Sequence, residues 1–160
     1  MNEALKRLES FEKSWREPLQ SCAQVAFHYR AREHTMGAPA RVADDFVARC
    51  GYKSIGFHWE LLDPLAERTG DRSALGAFED ALAKDLAMRT SWLGSGRALE
   101  CGREFLAAFE PSHLTLVTNH IVRAAGQSEA WTPISDATFE WAFVGFDDAI
   151  IALLLLTAED

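Results

Sequence analysis

Apolar residues recur at helical spacing through the first two thirds of the chain, then change to alternation and continuous runs near its end. Over 2–16, Ala4, Leu5, Leu8, Phe11 and Trp15 recur at three- and four-residue steps with charges between them. That spacing predicts an amphipathic helix, closed by Pro18. Val25, Phe27 and Tyr29 alternate with Ala26, His28 and Arg30, the period of a strand with one wetter face. "EHTMGAPA" reads as a loop. Pro39 suits a helix start, Val42, Phe46, Val47 and Cys50 share a face, and Gly51 is placed as the stop.

"SIGFHWELLDPLAERTG" is ambiguous, with Asp63-Pro64 either starting a helix or kinking one before Gly70 ends it. Ser73 is an expected N-cap for a helix carrying Leu75, Phe78, Leu82 and Leu86. "WLGSG" breaks it, and a further helix with Leu99, Phe105, Leu106 and Phe109 runs to Pro111. "HLTLVTNHIV" is rich in β-branched residues and predicts one strand, and "RAAGQSEAWTPIS" a polar loop.

Residues 138–145 alternate, with Phe139, Trp141 and Phe143 forming one aromatic face. Asp147-Asp148 supplies a turn, although without the glycine of a strong hairpin signal. "AIIALLLLT" is apolar at both parities, as expected of a strand covered on both faces; a leucine-rich helix is the competing reading. The strand just before it and its short length favour β. The whole predicts a single α+β domain over 1–160: helices first, packed on one face of a mainly antiparallel sheet that a C-terminal hairpin completes.

Composition adds bounds. The 160 residues are 48% hydrophobic and 25% charged, enough for one domain with a true core. The net charge of −8 disfavours a phosphate-backbone partner and favours a basic one. Cys22, Cys50 and Cys101 are odd in number and far apart, which suggests reduced thiols. The charged start carries no apolar signal core, and the run Ala149 to Leu156 is too short to span a bilayer. A cytoplasmic protein is expected, with no membrane partner.

Candidate chemistry is sparse. His28, His34, His58, His113 and His120 have no ligand partner at i, i+4 spacing, and His113 and His120 are expected on opposite faces of one strand, so no metal is expected. "FHWE" puts His58 two residues from Glu60, a pair that could meet on a strand but not on a helix. Gly94, Ser95, Gly96 and Arg97 could hold an anion at a helix start, yet no Lys-Ser/Thr follows, and a glycine joint between helices explains them more simply. No nucleophile motif and no cofactor fingerprint is present, so no catalytic residue is singled out.

The segment "WTPISDATFEWAFVGFDDAIIALLLLTAED" resembles the closing part of small cytosolic immunity proteins from bacterial toxin–immunity loci. Trp131, Pro133, Ile134, Ser135, Asp136, Thr138 and Phe139 match the motif that leads into two strands, and Glu159 and Asp160 match its acidic end. The likeness is confined to the C-terminal fifth. It implies a binding protein that occludes a basic cognate toxin, helped by electrostatic steering. The contact residues expected on that basis are Trp131, Asp136, Glu140, Asp147 and Asp148. The alternatives are a small enzyme or ligand-binding domain with a pocket between helices and sheet, drawing on His58, Glu60, Arg97 and His120, and an interaction module with no toxin partner.

Overall fold

A computed structural model describes residues 2–33, 37–87 and 89–159. His34, with Thr35 and Met36 of the "EHTMGAPA" stretch, lies outside the described residues, as does Asp160. The chain forms an α+β fold. Helix α1 (Glu3–Gln20) is followed by β1 (Gln24–Ala31), α2 (Pro39–Arg49), β2 (Glu60–Leu62), α3 (Ala74–Leu82) and α4 (Gly94–Ala107). Strands β3 (Thr115–Thr118), β4 (His120–Val122), β5 (Ser128–Trp131), β6 (Phe139–Phe146) and β7 (Ile150–Ala158) complete it.

The main sheet has the order β1-β7-β6-β3-β2, antiparallel at every pairing, and β4 and β5 form a small second sheet. Strand β7 is the last in sequence but lies inside the sheet, between β1 and β6. Its two parities explain its composition. Ile150, Ala152, Leu154 and Leu156 enter one core with α1, α3 and α4, while Ile151, Leu153 and Leu155 enter a second core with α2.

The two cores correct the expectation of helices on a single face. Helix α2 brings Val42, Ala43, Phe46 and Val47 to the opposite side, where they meet Val117, Ala142, Val144 and Phe146. Other expectations also shift. Helix α1 runs through Pro18, because Leu19 continues the stripe of Leu8, Phe11 and Trp15 and is buried with them. The loss of one N–H near a helix end is a small penalty against that burial. The ambiguous stretch is not a helix: a 3-10 turn at Gly56–His58 leads into β2, and Asp63 then caps a turn by accepting from the Leu65 and Ala66 amides. Helix α3 begins on Ser73 as expected, its hydroxyl accepting from Gly76 N at 3.0 Å, but ends at Leu82 rather than Leu86.

The stretch read as one strand is split. Asn119 separates β3 from β4 because its side chain takes the ladder position, its Oδ1 accepting from Ala142 N at 2.8 Å. His113 precedes β3, so it shares no strand with His120. The stretch read as a polar loop holds β5 and a tight turn at Ala124–Gly126. That turn sits against α3 so closely that a Cβ on Gly76 would come within 1.9 Å of the Ala125 carbonyl oxygen. Only glycine permits this approach.

Candidate functional site

The small sheet docks beside the open end of β6 and creates the most polar interior of the molecule. Thr118, Asn119, His120 and Glu140 are all buried. The Glu140 carboxylate is the hub. It accepts from Asn119 Nδ2 at 2.7 Å, Ile134 N at 2.8 Å, Ser135 N at 3.0 Å and the Ser135 hydroxyl at 2.6 Å. These bonds fasten the 132–138 segment over the sheet, and Ile134 is driven into the α2 core.

His120 lies in a stack of rings that runs from the core outward. Phe78 stacks on Phe143 with centroids 4.1 Å apart, Phe143 lies 5.9 Å from Trp141, Trp141 lies 3.7 Å from His120, and His120 lies 5.4 Å from Trp131. All four contacts are near parallel. His120 Nε2 meets the Glu140 carbonyl at 2.8 Å, and Nδ1 meets the Ser128 hydroxyl at 2.6 Å. A carbonyl can only accept, so Nε2 carries the hydrogen and Nδ1 accepts from Ser128. Burial lowers the imidazole pKa to about 4, and the neutral ring is what this stack holds.

A cavity of about 200 Å³ opens beside the stack, lined by Trp131, Trp141, Phe139, Ser128, Arg89 and Asp80 among others. Arg89 reaches it from a loop after α3 and has φ 56°, in the left-handed region that non-glycine residues seldom occupy. Its guanidinium donates to the Asp80 carboxylate at 2.9 Å and to the Asp80 carbonyl at 3.3 Å. The other Asp80 oxygen accepts from Ser128 N at 2.9 Å.

The expected contact residues do not come together. Trp131 is half-buried at the rim of the stack. Asp136 is exposed and paired with Lys53 at 2.9 Å, which holds its carboxyl below the ordinary range. Asp148 is exposed, 3.2 Å from His113. Glu140 and Asp147 are buried, which corrects the expectation that they face a partner. Asp147 accepts from the amides of Glu110, Ala149 and Ile150 and ties the β6–β7 turn to the end of α4. Asp136 precedes β6 and Asp148 follows it, so a strand of eight residues, roughly 26 Å at about 3.3 Å per residue, separates them.

The polar groups of the alternative reading are scattered too. His58 is exposed beside the Phe57 ring, Glu60 pairs with Arg72 at 3.3 Å, and Arg97 lies over the Trp15 ring at 4.6 Å. Of that set only His120 reaches the cavity. The sequence reading missed Ser128, Arg89 and Asp80, since they lie on three separate elements and carry no shared spacing. Among the described residues no group of three or more His, Cys, Asp or Glu is placed to hold a metal ion, and no helix is long and apolar enough to cross a membrane.

A second feature lies at the sheet edge. Phe57, Leu65, Leu61 and Ile121 are 87%, 77%, 49% and 41% exposed. The first three lie on or beside β2, the end strand of the sheet, and Ile121 belongs to β4, which touches β2. Compared with family models, curated proteins and solved structures, the chain matches none. The molecule is thus an α+β fold with a polar aromatic cavity and an exposed apolar edge.

Proposed function

We propose that this chain is an immunity-type protein that neutralises a cognate bacterial toxin by stoichiometric binding. The observation that carries the reading is the exposed apolar set on β2 and its neighbours. Single exposed apolar residues are ordinary, but an edge strand usually carries charge to prevent pairing with other chains. Here Glu60 and Arg72 supply that charge, yet four large apolar groups on or near the same edge are still left exposed. A protein partner that covers them removes their apolar surface from water. The net charge of −8 accelerates encounter with a basic toxin, and the resemblance of the C-terminal fifth to immunity proteins points to the same partner class.

The test is co-expression with the product of the adjacent reading frame. Host survival and an equimolar complex on purification are expected. Phe57→Ser combined with Leu65→Ser should weaken that complex by about a hundredfold or more, mainly through faster dissociation, with the melting temperature unchanged. A folded chain that neither protects the host nor binds that product overturns the proposal.

A further inference from the structure

The cavity beside the aromatic stack contains a set of groups that lie apart from the exposed apolar residues of the β2 edge. Ser128 is part-exposed and lines the cavity, while the imidazole that receives its hydroxyl hydrogen is buried. The tautomer is fixed from behind by the Glu140 carbonyl, so the nitrogen facing Ser128 always presents a lone pair. Asp80 bonds to both Ser128 N and Arg89, and thereby sets a nucleophile and a cation against one space. Asp80 takes hydrogens from two guanidinium nitrogens, and a guanidinium carries five N–H donors, which leaves it able to bond an added oxygen. The left-handed backbone at Arg89 is a local strain that the surrounding bonds hold in place.

We propose that Ser128 is a nucleophile activated by His120, and that the cavity accepts small carboxylic esters with an aromatic leaving group. Nucleophile, base, orienting acceptor and oxyanion donor are the four parts an acyl-transfer site needs. Ser128 Oγ adds to the ester carbonyl carbon as its proton passes to His120 Nδ1. The oxyanion that forms faces Arg89. The bond from carbon to the leaving oxygen then breaks, and that oxygen takes the proton from Nδ1. Water adds to the acyl-serine, with Nδ1 again carrying the proton in transit, and releases the carboxylic acid and the free serine. Ester and water become acid and alcohol, with no other reactant.

The burial that keeps the imidazole neutral also makes its protonated form costly, so a good leaving group is required. A phenolate suits this, and its ring can stack on Trp131, whose other contacts are His120 and Phe139. The volume of about 200 Å³ suits a ligand of one ring and a short acyl chain.

The experiment uses the full chain with 4-nitrophenyl acetate and, separately, a fluorophosphonate probe, followed by intact mass and peptide mapping. A single adduct on Ser128 is expected. Ser128→Ala should abolish it and reduce 4-nitrophenolate release by about a hundredfold, and Arg89→Gln should reduce release by about tenfold or more with labelling still confined to Ser128. Melting curves establish that each variant is folded. Absence of an adduct on folded wild-type protein, or labelling that Ser128→Ala leaves unchanged, overturns the proposal. Ser128 is not among the apolar edge residues, so loss of toxin binding in the Phe57 and Leu65 double variant, with the adduct retained, separates the two functions.

Discussion

The two C-terminal hairpins are neighbours in sequence and opposites in construction. The β6–β7 hairpin is held by apolar side chains on both faces, from Trp141 and Phe143 on one side to Val144, Leu153 and Leu155 on the other. The β4–β5 hairpin is short, half-exposed and held by a polar network in which Thr118, Asn119, His120, Ser128 and Glu140 supply one another's hydrogen bonds. Apolar burial is non-directional, so the first hairpin tolerates exchange of one large apolar residue for another. The second depends on directed bonds in a low-dielectric interior, where a missing partner leaves several groups unsatisfied together. The difference places chemistry in the second hairpin and stability in the first.

The largest expected break is in the apolar hairpin. Leu153→Asp puts an unpaired carboxylate at a fully buried position in β7, and a loss above about 4 kcal/mol, enough to unfold the chain, is expected. Circular dichroism and urea titration would show it; a folded variant within about 1 kcal/mol of wild type would mean that the second core is not packed as described.

Glu140→Ala should come next, at about 3–5 kcal/mol, because it orphans the donors of Asn119, Ile134 and Ser135 in one step. Hydrogen exchange should show the 132–138 segment opening first, whereas a uniform loss across both hairpins would count against the polar network as a separate unit.

Acid sharpens the same contrast. His120 is depressed to about 4 in the fold and titrates near 6.5 when unfolded, so between those values the unfolded chain binds the extra proton. Its contribution is therefore intact above about pH 6.5 and declines as pH falls toward 4, by roughly 3 kcal/mol in all. NMR titration of the imidazole follows this directly, and a midpoint between 6 and 7 in the native protein would contradict it. The smallest effect is expected at Asp136. Its bond to Lys53 is solvent-exposed and screened by water, so Asp136→Asn should leave the urea midpoint unchanged, in contrast to Glu140 only a few residues away. Matched urea midpoints for the two variants would remove the distinction between them.

That contrast also decides how far the sequence could be read. Alternation and double-sided apolarity are local properties, so β1, β6, β7 and the turn at Asp147 were legible from 24–31 and 138–156 alone, and the helical spacing of the earlier segments completed the α+β class. Ser73 and Gly51 were legible as helix punctuation for the same reason, since caps act within one turn. The β4–β5 hairpin was not legible. Its strands are three and four residues long, too short to show a period, and the break at Asn119 within the stretch read as one strand depends on a bond to Ala142 that lies far along the chain. The acids gave the opposite lesson. Asp136, Glu140, Asp147 and Asp148 look alike in a sequence, but donors from Asn119 after β3, Glu110 after α4 and the 132–138 loop converge on Glu140 and Asp147 and leave the other two at the surface.

By itself, then, the sequence determined that the chain buries a two-sided strand near its end, starts with an amphipathic helix and carries a net charge of −8. Tertiary structure decided that α2 covers the second face, that His120 receives the Ser128 hydroxyl, and that Asp80 and Arg89 stand beside them. The physical reason is range. Periodicity and capping are fixed by neighbours within a few residues, whereas a buried hydrogen bond takes its direction and its strength from groups that only the folded chain brings together.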